Sequence, residues 1–152
     1  MGTEIERKFL VSSDSWRSTC TKCSTLRQGY LAGKADDPAE VRVRLTEQAA
    51  YLTIKGGGGL VRAEFEYQIP SDDAGLIVEN LCGSAIIDKK RYEVPYRSAT
   101  WFVDEFLGRL QGLFLAEIEL PNERAFVELP DWTGAEVTHD PRYRNKFLAF
   151  GE

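Results

Sequence analysis

Glu4, Glu6 and Lys8 stand two residues apart near the N-terminus, and the same spacing recurs in Arg42/Arg44, Glu64/Glu66, Lys89/Arg91 and Glu117/Glu119. Carboxylates so spaced on an extended chain share one face and repel each other. A hard divalent cation relieves that repulsion, because Mg²⁺ and Mn²⁺ prefer carboxylate and water oxygens. Guanidinium pairs suit phosphate, whose oxygens accept forked hydrogen bonds. These residue types point to metal-assisted handling of a phosphate-rich anion.

The elements that must carry them read as strands. Alternation of period two runs over about residues 3–11, 25–32, 40–47, 49–56, 60–69, 86–95, 100–107 and 113–120. Within these, Glu4, Glu6 and Lys8 oppose Ile5, Arg7 and Phe9. Glu40, Arg42, Arg44 and Thr46 oppose Val41, Val43 and Leu45, and Arg62, Glu64 and Glu66 oppose Ala63, Phe65 and Tyr67. Short turns join the strands, which predicts a mainly antiparallel sheet, and eight such strands commonly close into a barrel. The expected fold is mainly β, an eight-stranded antiparallel closed barrel with short flanking helices and a C-terminal helix. Ser71-Asp72-Asp73 reads as a helix cap before the apolar set Leu76, Ile77 and Leu81, and Tyr143, Phe147 and Phe150 have helical spacing within 140–150.

An antiparallel sheet with one face in water produces the same alternation and needs no function. The grouping of like charges, and the scarcity of Thr, Ser or Gln fillers on the polar faces, favour a lined interior. Seven acids (Glu4, Glu6, Glu64, Glu66, Asp104, Glu117, Glu119) face seven bases (Lys8, Arg42, Arg44, Lys55, Arg62, Lys89, Arg91), so that interior would be nearly neutral when empty. Two divalent ions and a triphosphate with about four or five negative charges would nearly cancel within it.

The chain of 152 residues, 43% hydrophobic and 11% aromatic, suits one domain, 1–152, with a real core. A net charge of −5 argues against a general polyanion binder, so no nucleic acid is expected as partner, and no membrane is expected either, for want of a long apolar run. The charged N-terminus lacks a signal-peptide pattern and no run approaches roughly 18 apolar residues, so a cytoplasmic protein is expected, a homodimer being left open. Cys20 and Cys23 form half of a four-thiolate zinc site with no second pair, and read more simply as free thiols. Gly56-Gly57-Gly58-Gly59 lacks the Gly-Lys-Ser/Thr of a phosphate loop and reads as a flexible hairpin loop. His139 is the sole histidine and falls in a turn, a surface position rather than a catalytic one.

Glu4-Ile5-Glu6-Arg7-Lys8 resembles the Glu-x-Glu-x-Lys strand of the triphosphate tunnel metalloenzymes, also called the CYTH family. Further similar pieces follow in family order: Arg27-Gln28-Gly29-Tyr30-Leu31, Val41-Arg42-Val43-Arg44, Leu52-Thr53-Ile54-Lys55 and Arg62-Ala63-Glu64-Phe65-Glu66-Tyr67. Lys89-Lys90-Arg91-Tyr92, Val103-Asp104-Glu105-Phe106, Glu117-Ile118-Glu119-Leu120 and Val137 to Asn145 complete the series. The resemblance implies a tunnel with two Mg²⁺ or Mn²⁺ ions on Glu4, Glu6, Glu64, Glu66, Asp104, Glu117 and Glu119. It implies phosphate clamps at Lys8, Arg42, Arg44, Lys55, Arg62, Lys89 and Arg91, and catalytic roles for Glu4, Glu6 and Lys8. One metal would orient the triphosphate and the other activate the attacking water. The bacterial tripolyphosphatases look most similar, which implies hydrolysis of inorganic tripolyphosphate. A class IV adenylate cyclase, a thiamine triphosphatase and a non-enzymatic polyphosphate or nucleotide binder stay open as alternatives.

Overall fold

The alternating segments form eight of the nine strands in a computed structural model that describes residues 2–34, 36–57 and 60–151. The nine are β1 (Gly2–Val11), β2 (Lys22–Ala32), β3 (Ala39–Leu45), β4 (Ala50–Gly56), β5 (Val61–Ile69), β6 (Ile86–Tyr96), β7 (Ala99–Phe106), β8 (Phe114–Glu119) and β9 (Thr133–Glu136). Helix α1 (Ser71–Leu81) links β5 to β6, and α2 (Asn145–Phe150) ends the chain. Every pairing is antiparallel, in the order β5-β4-β3-β2-β6-β7-β8-β1, and β1 pairs back onto β5 to close an eight-stranded barrel. The expected closed barrel is therefore present, with one strand more than the alternation indicated.

That extra strand is β9, which lies on β1 beyond the four residue pairs that join β1 to β5. β8 covers the opposite edge of β1 from Glu6 to Leu10, and Leu120 N–H donates to Ile5 O at 2.7 Å. Thr-Gly-Ala-Glu has neither alternation nor branched apolar residues, so β9 carries no strand signal of its own. Its place depends on close approach: a Cβ at Gly134 would stand 3.3 Å from Leu10 O. Glu136 then accepts two hydrogen bonds from Arg7, at 2.8 and 2.9 Å.

Because the ionic face turns inward, two of the three apolar clusters pack on the outside of the barrel beneath its helices and loops. Phe9, Trp16, Val94, Trp101, Val103, Ile118 and Trp132 form one such layer, which gives all three tryptophans a core role. A second cluster lies on the inward face instead: Ile87, Phe106 and Leu115 share the parity of Lys89, Asp104 and Glu117, and with Val137 and Ala149 of α2 they fill one end of the barrel. The third joins Val43 and Ala50 to Ala74, Val78 and Cys82 of the α1 segment. A Cβ at Gly29 would meet Cys82 Sγ at 2.6 Å, so only glycine in β2 lets that segment lie so close.

Two local expectations need correction. The buried residues of α1 are Ala74 and Val78, continued by Cys82 just after its end, whereas Leu76 and Leu81 are 60% and 65% exposed. Close packing over Gly29 selects the small side chains, and Pro70, not a serine or aspartate side chain, sits at the cap position without a capping side-chain bond. Residues 140–150 do not make one helix either. A 3₁₀ turn at Pro141–Tyr143, capped by the Asp140 carboxylate, is separated from α2 by Arg144 in extended conformation. Of the glycine run, Gly58 and Gly59 lie outside the described residues. No helix among the described residues is long and apolar enough to cross a membrane.

Candidate active site

The barrel encloses a polar cavity of about 190 Å³. β1 contributes Glu4, Glu6 and Lys8; β3 contributes Arg42 and Arg44; β4 contributes Lys55; β5 contributes Arg62, Glu64 and Glu66. Glu40 of β3, Arg91 of β6, Glu117 and Glu119 of β8, and Arg144 just before α2 complete the charged lining. Lys89 and Asp104 do not line it. Both are fully buried in the wall, where the Lys89 ammonium donates to Asp104 at 2.8 Å.

Two networks of paired charge hold the walls. In the first, Glu4 accepts from Lys55 at 2.7 Å and from Arg62 at 3.0 Å, while Arg62 also reaches Glu40 at 3.4 Å and Lys55 reaches Glu64 at 3.5 Å. In the second, Arg91 bonds Asp104 through two nitrogens, at 2.7 and 2.9 Å, and reaches Glu117 at 3.2 Å. Lys8 lies 3.4 Å from the same Glu117, its partner in the β1–β8 register.

These contacts set the protonation of the site. Burial alone would raise Asp104, but Arg91 and Lys89 hold its carboxyl far below the usual range. Glu117, also opposed by burial, is brought to about 2 by Lys8 and Arg91. Glu4 is likewise lowered against burial by Lys55 and Arg62. Lys89 moves down to about 7, because burial and the nearby Arg91 and Arg44 outweigh its share of Asp104.

Glu6 and Glu119 behave in the opposite way. They face each other in the β1–β8 register, and neither makes an ion pair with a cation among the described residues. Burial and the repulsion of Glu117 and Glu4 raise Glu6 to about 7. Glu119 is raised by burial and by Glu4 and Glu64. This edge of the tunnel holds negative charge that the protein leaves unmatched, on oxygen donors only, which fits a hard divalent cation. Among the described residues no three Asp, Glu, His or Cys side chains already converge as ligands, so the carboxylates would have to close on an ion.

The opposite wall has the complementary deficit. Buried Arg42 bonds Thr53 through Nη2 at 3.2 Å, yet its Nε has no hydrogen-bond partner. Arg44 donates to the neutral Gln28 side chain at 3.0 Å and makes no ion pair among the described residues. Burial, with Arg42 and Arg91 close by, pushes Arg44 down to about 9. Cations so placed fit the oxygens of a polyphosphate.

The C-terminal segment closes one end of the cavity. Lys8 donates from Nζ to Tyr143 O at 3.1 Å, Lys89 donates to Asn145 Oδ1 at 3.2 Å, and Thr138, Arg144 and Asn145 join the lining. Toward Lys22, Tyr51 and Glu93 a second cavity of about 540 Å³ shares Arg44, Glu66, Arg91 and Phe102 with the first, so the tunnel opens there. Sequence reasoning passed over Glu40, Phe102, Arg144 and Asn145 as site residues. Glu40 shares the parity of Arg42 and Arg44, which could have found it; Arg144 and Asn145 lie outside any strand, where parity has no meaning. His139 is exposed in its turn, and Cys20, Cys23 and Cys82 are free thiols.

Comparison with known proteins agrees with this architecture. The family model described as the CYTH domain matches residues 2–145. An inorganic triphosphatase of Acetivibrio thermocellus is 49% identical over 97% of this chain and 94% of its own length. An inorganic triphosphatase of Nitrosomonas europaea is 38% identical over 97% of each chain. A crystal structure of an inorganic triphosphatase superposes with a TM-score of 0.69 at 34% identity, over 98% of this chain and 95% of that one. With a closed tunnel, an ionic lining and a family match over nearly its whole length, this chain belongs to the CYTH domain family.

Proposed function

We propose that this protein, a single tunnel domain, hydrolyses inorganic tripolyphosphate to pyrophosphate and orthophosphate with the help of Mg²⁺ or Mn²⁺. The observation that carries the reading is the double deficit of the tunnel: Glu6 and Glu119 without an ion-pair partner among the described residues on the β1–β8 edge, and on β3 Arg44 without a carboxylate and Arg42 with an unbonded Nε and Glu66 no nearer than 3.9 Å. A metal ion and a polyphosphate together would satisfy both, and neither alone would. The high identity to proteins named inorganic triphosphatases supports the same substrate.

Arg42, Arg44 and Arg91 would hold the non-bridging oxygens, with Lys55 and Arg62 at the Glu4 end of the tunnel. Lys8 would offset the charge that develops as the P–O–P bond breaks and pyrophosphate leaves. Glu6 and Glu119, with Glu4, Glu64, Glu66 and Glu117 nearby, would hold the metal. The ion would supply positive charge to the phosphate oxygens and make water a better nucleophile at neutral pH. Asp104 serves this arrangement from behind, by fixing Arg91 and Lys89.

One observation favours a second reading. The open mouth, with Tyr51 and Phe102 among its lining residues, has room for an organic group on the triphosphate, as in ATP or thiamine triphosphate. A parallel assay of tripolyphosphate, ATP and thiamine triphosphate with Mg²⁺ or Mn²⁺ separates the readings. Orthophosphate and pyrophosphate from tripolyphosphate as the fastest reaction is expected. Cyclic AMP with pyrophosphate as main products would overturn the proposal.

A further inference from the structure

Arg44 differs from every other tunnel cation that the sequence pattern groups with it. Lys8, Lys55, Arg62, Lys89 and Arg91 each have a carboxylate oxygen within 3.4 Å, and Arg42 has Glu66 at 3.9 Å. Arg44 has instead an amide, Oε1 of Gln28, which accepts from its Nε at 3.0 Å. Gln28 is completely buried, and its Nε2 donates to the hydroxyl of the buried Tyr30 at 2.9 Å. The β2–β3 register places Gln28 opposite Arg44 and Tyr30 opposite Arg42.

A buried amide must satisfy both its ends. With Nε2 committed to Tyr30, the carbonyl end is left for Arg44, so the amide is oriented before any ligand arrives. An amide acceptor fixes the direction of a guanidinium without cancelling its charge, which a carboxylate at the same place would do. Held through Nε, Arg44 keeps its two Nη nitrogens for another partner, and they make no hydrogen bond among the described residues. Repulsion from Arg42 and Arg91 would otherwise turn this side chain away from the cavity.

We propose that Gln28 is a positioning residue for anion binding: it aims the forked end of Arg44 into the tunnel and leaves its charge uncommitted, so that phosphate meets one cation with no ion pair to break. The proposal rests on the triphosphate reading of the tunnel, but it concerns binding and not the bond that is cleaved. The lowered pKa of Arg44 agrees with a charge that gains from an incoming anion.

The test is a double-mutant cycle on tripolyphosphate affinity, measured by calorimetry in EDTA so that hydrolysis plays no part. Gln28→Glu, nearly isosteric, places a carboxylate on Arg44 and should weaken binding at least about tenfold. Gln28→Leu should weaken it roughly three- to tenfold in the wild-type background and less than about twofold once Arg44→Ala is present. In turnover, both Gln28 variants should raise KM more than they lower kcat. Wild-type affinity in Gln28→Glu, or an equal loss from Gln28→Leu with and without Arg44, would overturn the proposal. Thermal melting checks folding, and Gln28→Met replaces Gln28→Leu in the cycle if the leucine variant does not fold. Should the wild type prefer ATP or thiamine triphosphate, the substrate reading fails, while the same cycle on that ligand still decides the role of Gln28.

Discussion

Asp104 and Glu6 are both acids on inward-facing strand positions, and the sequence pattern treats them alike, yet the barrel puts them in opposite situations. Asp104 is sealed in the wall with both oxygens bonded, to Arg91 and Lys89. Glu6 faces the cavity opposite Glu119, without a cation in an ion pair, and its carboxyl is raised to about 7. The first acid organises cations; the second leaves a charge for something outside the protein to match. The difference teaches that parity selects the face of a strand but not the depth of a residue along the tunnel. Depth decides whether an acid serves the fold or the ligand.

The sharpest way to break this comparison is to remove the wall acid. Asp104→Ala leaves Lys89 buried without its counter-charge, and should cost about 3–5 kcal/mol of stability, lowering Tm by roughly 10 °C or more. Thermal melting that shows an unchanged Tm would mean that Asp104 is not a structural counter-ion. Lys8→Ala should fold, because Lys8 lies at the cavity surface, but should lower kcat by roughly a hundredfold or more. Steady-state phosphate release measures this, and wild-type turnover would remove Lys8 from the catalytic set.

The raised carboxyl of Glu6 gives a pH signature in metal-free protein. A folded value of about 7 against an ordinary 4.5 means that the native state holds a proton the unfolded state has released. Stability should therefore fall as pH rises from 4.5 through 7 and level off above, a loss of about 2 kcal/mol after solvent screening. Glu6→Gln should flatten that part of the curve in chemical denaturation, and a decline of unchanged size would exclude Glu6 as its source. The smallest expected effect is that of Glu119→Gln, about a tenfold higher half-saturating metal concentration with little change in Tm. An unchanged metal titration with full activity would take Glu119 out of the metal set.

The barrel was legible because its strands repeat with period two and because Glu4, Arg42, Glu64 and Glu117 could be sorted to one face by parity. Strand β9 was not, since Gly134 and Ala135 signal no strand and its pairing depends on the closeness of Leu10. The buried face of α1 is not legible in its own sequence, because glycine at 29, a residue of another element, decides which side chains of the helix fit. The tunnel lining was largely readable in residue type. The exclusion of Lys89 and Asp104 from it was not, because their burial follows from the apolar cluster of Ile87, Phe106 and Leu115 beside them and from α2, whose Asn145 bonds Lys89. The part played by Gln28 is not legible in the sequence, because an amide shows its use only when both of its partners are in view.

The central claim is that the unmatched acids of the β1–β8 edge hold the metal for tripolyphosphate hydrolysis. It is tested most directly by following orthophosphate and pyrophosphate release from tripolyphosphate as Mg²⁺ or Mn²⁺ is titrated into wild type and Glu6→Gln side by side. The account predicts no release without metal, saturable release in the wild type, and loss of that response in the folded variant. Full hydrolysis by metal-free wild type, or a wild-type metal curve in Glu6→Gln, would contradict it.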